Sequence, residues 1–68
     1  MREFKDILAE LLTELGVTQT EFARKAGFKQ SQVCEWLKGK AKPGYDSLRQ
    51  ICINLDVSPE FLLGIEEY

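Results

Sequence analysis

Histidine is absent from this 68-residue chain, and with it go the usual general base and the Ser-His and Cys-His pairs of nucleophilic catalysis. Cysteine is scarce. Cys34 and Cys52 stand 18 positions apart, and without histidine they make no zinc-binding set. No stretch approaches the roughly 20 apolar residues that cross a bilayer, and Met1-Arg2-Glu3 opens no secretory signal. These absences argue against an enzyme. The expectation is a cytoplasmic chain with no membrane partner, no metal, no cofactor and no evident small-molecule ligand. In reducing surroundings the two thiols are expected to be small, partly buried hydrophobes, with a disulfide the remoter alternative.

What is present fits one small globular domain over residues 1–68. Apolar residues make up 44% and charged residues 29% of the chain, a balance unlike that of disordered or membrane segments. A domain of this size buries only about 60% of the surface its unfolded chain exposes, so every apolar residue counts. The formal charge of −2 hides an asymmetry. Between Phe22 and Lys42 there are six bases (Arg24, Lys25, Lys29, Lys38, Lys40, Lys42) and one acid, Glu35, for a segment charge of +5; the rest carries −7. A polyanion responds to local charge, because counterions are released only where a base meets a phosphate. Charge alone still favours the plainer reading, in which these bases solvate a helical surface.

Helical periodicity runs throughout. Phe4, Ile7, Leu8, Leu11, Leu12 and Leu15 form one stripe, and Gly16 ends that helix. Thr18 and Glu21 make a capping box for a second helix, whose face of Phe22, Ala23 and Ala26 stops at Gly27. A third helix is predicted from about Gln30 to Lys38, with Val33, Trp36 and Leu37 apolar and Gly39 as its end. Lys29 is a poor cap for it, having no acceptor to offer. After the polar stretch Lys40-Ala41-Lys42-Pro43-Gly44, a fourth helix places Tyr45, Leu48, Ile51, Cys52 and Leu55 on one side. Asp56 suits its left-handed end, and Ser58 with Pro59 opens a fifth. The prediction is a compact all-α domain of five short helices.

The stretch from Gln19 to Lys38 is the informative one. Two short helices joined at Gly27 must cross steeply, and they need the first and fourth helices as backing. The outer side of the third helix is then left free and polar, with Gln30, Ser31, Gln32, Glu35 and Lys38. Such a helix suits the major groove. Counted from Gln19, the small Ala23 is fifth and Gly27 ninth. Apolar residues occupy the fourth, eighth, tenth, fifteenth and eighteenth places.

On those residues, with Leu15-Gly16-Val17-Thr18-Gln19 before them and Leu55-Asp56-Val57-Ser58-Pro59-Glu60-Phe61-Leu62-Leu63-Gly64 after, the chain resembles the lambdoid-phage repressor and Cro family, also called the XRE family. The resemblance covers nearly the whole sequence. It implies a sequence-specific regulator of double-stranded DNA, most simply a repressor, with its helix-turn-helix at residues 19–38. It implies base reading by Gln30 and Ser31, with Gln32 and Glu35 as further candidates; glutamine can bond adenine bidentately, and Glu35 can accept from cytosine. It assigns phosphate contacts to Thr18, Gln19, Lys38, Lys40 and Lys42. Lys29 departs from the family, which usually has a Ser or Thr cap there, and is a further phosphate-contact candidate. Trp36 is expected in the core rather than as a stacking platform.

The family commonly dimerises through its C-terminal region. Ile53, where the family usually has a polar residue, is expected with Leu63, Ile65 and Tyr68 to form a homodimer patch. Leu12 and Leu37 stand where some members have an Arg–Glu pair and are expected to touch. The rival reading is a protein-binding module, such as the antitoxin of a toxin–antitoxin pair.

Overall fold

Apolar spacing and capping chemistry together produce five helices: α1 (Phe4–Leu15), α2 (Gln19–Ala26), α3 (Gln30–Lys38), α4 (Tyr45–Leu55) and the single turn α5 (Pro59–Leu62). The computed structural model describes residues 3–63, and no strand occurs among them. α2 opens on the expected reciprocal cap. Thr18 Oγ1 accepts from the Glu21 N–H at 3.1 Å, and Glu21 Oε1 accepts from the Thr18 N–H at 2.9 Å. Two donors without helical partners are thereby satisfied locally. At α5, Ser58 Oγ accepts from the Phe61 N–H at 3.1 Å, with Pro59 in the first turn.

Four helix ends repeat one geometry. The residue after each of α1 to α4 is left-handed, namely Gly16, Gly27, Gly39 and Asp56. The next residue folds its N–H back onto the last turn: Val17 to Leu12 O (3.2 Å), Phe28 to Ala23 O (2.8 Å), Lys40 to Glu35 O (3.0 Å) and Val57 to Cys52 O (3.2 Å). At three of these ends that residue is apolar and packs on the core: Val17, Phe28 and Val57. After α3 it is the exposed Lys40. The chain therefore leaves α3 with a charge in water where the other helices have an apolar latch.

The core draws on every helix: Ile7, Leu8 and Leu11 from α1, Phe22, Ala23 and Ala26 from α2, Val33 and Trp36 from α3, Ile51 from α4, and Phe61 and Leu62 from α5. α3 packs against α1 and α2, while α4 packs against α2 and α5. Trp36 is a core residue. Its ring meets Phe28 at 4.9 Å and Phe4 at 6.1 Å, both edge-on. Leu12 and Leu37 both lie half-buried at the margin of the core, on the packed pair α1 and α3. Cys34 and Cys52 are free and partly buried, and burial pushes the Cys52 thiol up, with Glu60 adding to the rise.

Two residues depart from the expected apolar faces. Leu15 is 40% exposed and Tyr45 71% exposed. Each sits in a terminal turn, where a helix has run past the core that its middle covers. The Tyr45 ring instead underlies the Arg49 guanidinium, 5.0 Å from its centroid.

Phe22 is fully buried at the centre of this arrangement. Cores of this size rarely supply more than about 3–5 kcal/mol of net stability, and Phe→Ala in a core costs about 3–5 kcal/mol. Phe22→Ala is therefore expected to abolish cooperative unfolding in thermal circular-dichroism scans, whereas Tyr45→Ala is expected to preserve it.

Candidate nucleic-acid interface

The region that sequence singles out is built from its apolar side outward. Val33 and Trp36 anchor α3, with exposures of 0% and 4%, and Leu37 sits at the core margin. Residues three and four apart share a helix face, so burying these leaves the opposite face in water. Gln30, Ser31, Gln32, Glu35 and Lys38 are all exposed. The four base-reading candidates thus share one accessible helix, with Gln30 and Ser31 at its start.

The start of α3 is capped from one side only. Lys29 has no acceptor, and the single local bond is the return one, in which Gln32 Oε1 accepts from the Lys29 N–H at 3.3 Å. In this conformation Gln32 completes its own helix, while Gln30 and Ser31 stand ahead of it. The N–H groups of Gln30 and Ser31 precede the first bonds that return to Lys29 O, those of Gln32 and Val33. The N–H groups of Gln30 and Ser31 and the positive end of the helix dipole therefore lie at the same end of α3 as these two candidates.

α2 presents a second such end. Thr18 uses its hydroxyl and its own N–H on Glu21, so the donors left for an anion are the N–H groups of Gln19 and Thr20. The first intrahelical bond follows at Phe22, whose N–H reaches Thr18 O at 2.9 Å. Gln19 is half-buried in this first turn. The hydrogen bonds from Thr18 hold the Glu21 carboxyl below its ordinary range, with Lys25 and Arg24 adding to the effect.

All six bases of the positive segment are exposed: Arg24, Lys25, Lys29, Lys38, Lys40 and Lys42. Tertiary structure adds one base that sequence did not indicate. Lys5 of α1 lies across the exit of α3, so that a Cβ at Gly39 would stand 3.1 Å from Lys5 Cδ and 3.8 Å from Lys5 Nζ. Lys5 and Lys42 line one small recess with Phe4, Trp36 and Gly39. Its ammonium keeps only a loose pair with Glu3, at 3.8 Å, which is worth little at an exposed site. Gly39, left-handed at φ 77°, suits both the turn and the passage of the lysine stem.

Of the expected dimer residues, Ile53 is 71% and Leu63 52% exposed; Ile65 and Tyr68 lie outside the described residues. Leu63 lines a shallow apolar groove of about 220 Å³ with Tyr45, Leu48, Cys52, Pro59 and Leu62. Ile53 is not among the groove's lining residues. Among the described residues no helix is long and apolar enough to cross a membrane, and no group of acidic or cysteine side chains is placed to hold a metal ion.

A family model described as helix-turn-helix matches residues 8–62. No curated protein and no solved structure matches the chain.

The cap at Thr18 has a pH signature. Because folding lowers the Glu21 pKa, the stabilisation is fully present above the unfolded-state pKa and is lost as pH falls through the folded-state value. Thr18→Ala removes the hydroxyl but keeps the N–H that bonds Glu21, so it is expected to cost about 1 kcal/mol with a weak pH dependence. Glu21→Gln, by contrast, is expected to be less stable than the wild type near neutrality and to approach it in acid. Urea titrations at the two pH values check this.

Proposed function

The chain belongs to the XRE-type helix-turn-helix family, a family of DNA-binding regulators, and from that premise we propose that it is a cytoplasmic transcriptional repressor which occludes operators by laying α3 in the major groove. The observation that supports this most is the seating of α3. Its apolar side is buried, its polar side is entirely exposed, and positive charge continues from both of its ends.

The division of labour follows from reach and chemistry. Gln30 and Ser31 read base edges, with Gln32 and Glu35 further along the same helix. Glu35 contributes where it meets a cytosine amine and costs affinity elsewhere. Thr18, Gln19 and the start of α2 steady one phosphate. Lys29, Lys38, Lys40 and Lys42 hold the backbone on either side of α3, joined by Lys5. No cofactor takes part. The acidic remainder of the surface opposes any other seating on a polyanion and so orients the complex.

Two copies acting together through the C-terminal region would read half-sites roughly 34 Å apart. Ile53 and Leu63, with the groove beside Leu63, supply apolar surface for that contact. Ile53→Asp is expected to leave the domain folded while shifting the particle to monomer in sedimentation experiments. A wild type that is already monomeric, free and on a selected duplex, would refute the dimer.

Selection of bound duplexes from a random pool tests the main reading, and a palindromic consensus is the expected result. Gln30→Ala is expected to relax preference at one base pair by about 1–3 kcal/mol. Lys40→Ala is expected to weaken all sequences alike and to reduce the steepness of log K against log salt by about 0.9. A salt dependence that is flat for the wild type would favour a protein-binding module such as an antitoxin instead.

A further inference from the structure

The corner between α2 and α3 is held from outside. Ala26 has no exposed surface, and as the last residue of α2 its carbonyl has no helical donor. Two amides of α4 supply that donor. Gln50 Nε2 donates to Ala26 O at 2.6 Å and to Gly27 O at 3.3 Å, and Asn54 Nδ2 donates to Ala26 O at 2.9 Å. Gln50 and Asn54 are one turn apart on α4, so both amides converge on one point. A Cβ at Gly27 would lie 2.8 Å from Gln50 Nε2. The glycine therefore makes room for the clamp besides turning the chain at φ 85°.

We propose that Gln50 and Asn54 are positioning residues for base recognition: by gripping the corner from α4, they set the angle at which the start of α3 meets DNA. The proposal rests on the DNA-binding reading above. Only Gly27, Phe28 and Lys29 separate the gripped carbonyl from Gln30, so a tilt at Ala26 passes almost directly to the reading end. The two kinds of contact respond differently to such a tilt. A lysine ammonium on a flexible stem follows a phosphate that has moved by an ångström. A glutamine amide bonded bidentately to a base edge does not, because both bonds need aligned geometry. Loosening the clamp therefore degrades discrimination while general affinity persists.

The test uses the full chain with Gln50→Ala/Asn54→Ala together, and Gln50→Glu separately. The glutamate has nearly the same shape but sets a carboxylate oxygen against the Ala26 carbonyl, so it turns one of the two grips into a repulsion without opening a cavity. On the duplex selected by the wild type, both variants are expected to bind at least about tenfold more weakly, the scale of one misplaced base contact. On a random-sequence duplex the loss is expected to stay within about threefold, with an unchanged salt slope, because the phosphate contacts remain. Circular dichroism establishes that each variant is folded at the assay temperature. Equal losses on both duplexes, or no loss on either, would overturn the proposal, since simple destabilisation cannot change the ratio.

If the wild type binds no duplex at all, the DNA-binding reading fails, and backbone amide shifts of the free double variant judge the clamp. Shifts that extend through residues 28–32 sustain its control of α3. Shifts confined to residues 26, 27 and α4 overturn it.

Discussion

Burial of Val33 and Trp36 is the constraint on which the rest depends. A nine-residue helix is marginal in water, since nucleation is costly and few bonds follow it. α3 exists because its inner side chains are enclosed by Phe4, Phe28 and the core residues of α1 and α2. Its exposure on the other side is the converse of that enclosure. A helix fixed by one side only is what a groove-reading element must be, rigid in direction and free along the face that makes contact.

Electrostatics act on this scaffold locally. A sequence pI near 5.0 suggests a poor partner for a polyanion, yet the six bases between Arg24 and Lys42 are all exposed and outnumber the single acid there. The exit of α3 concentrates the effect. There the returning residue is Lys40 rather than an apolar latch, and Lys5 arrives from α1 across Gly39. Positive charge near a helix C-terminus also complements its dipole, so these lysines suit their positions even without DNA.

Much of this was legible in the chain because it is encoded at short range. The five helices, the Thr18–Glu21 box, the Ser58 cap, the left-handed Asp56 and the core role of Trp36 follow from residues at most one turn apart. So does the weak start of α3, where Lys29 offers no acceptor. Faces at helix ends were less legible. Leu15 and Tyr45 fit the apolar periodicity, but periodicity does not say where the core stops, and both project beyond it.

Sequence by itself determined the helices, their ends and the polar face of α3, since spacing and capping depend only on neighbours along the chain. The tertiary structure alone decided what steadies and flanks that face. The carbonyl of Ala26 finds its donors on Gln50 and Asn54, 24 and 28 positions away, and Lys5 meets Gly39 only once α1 lies against α3. In α4 the two amides look like ordinary polar positions on a helix. Their role appears only when packing lays α4 beside the end of α2, where a part-buried carbonyl with no helical donor takes one from the nearest element.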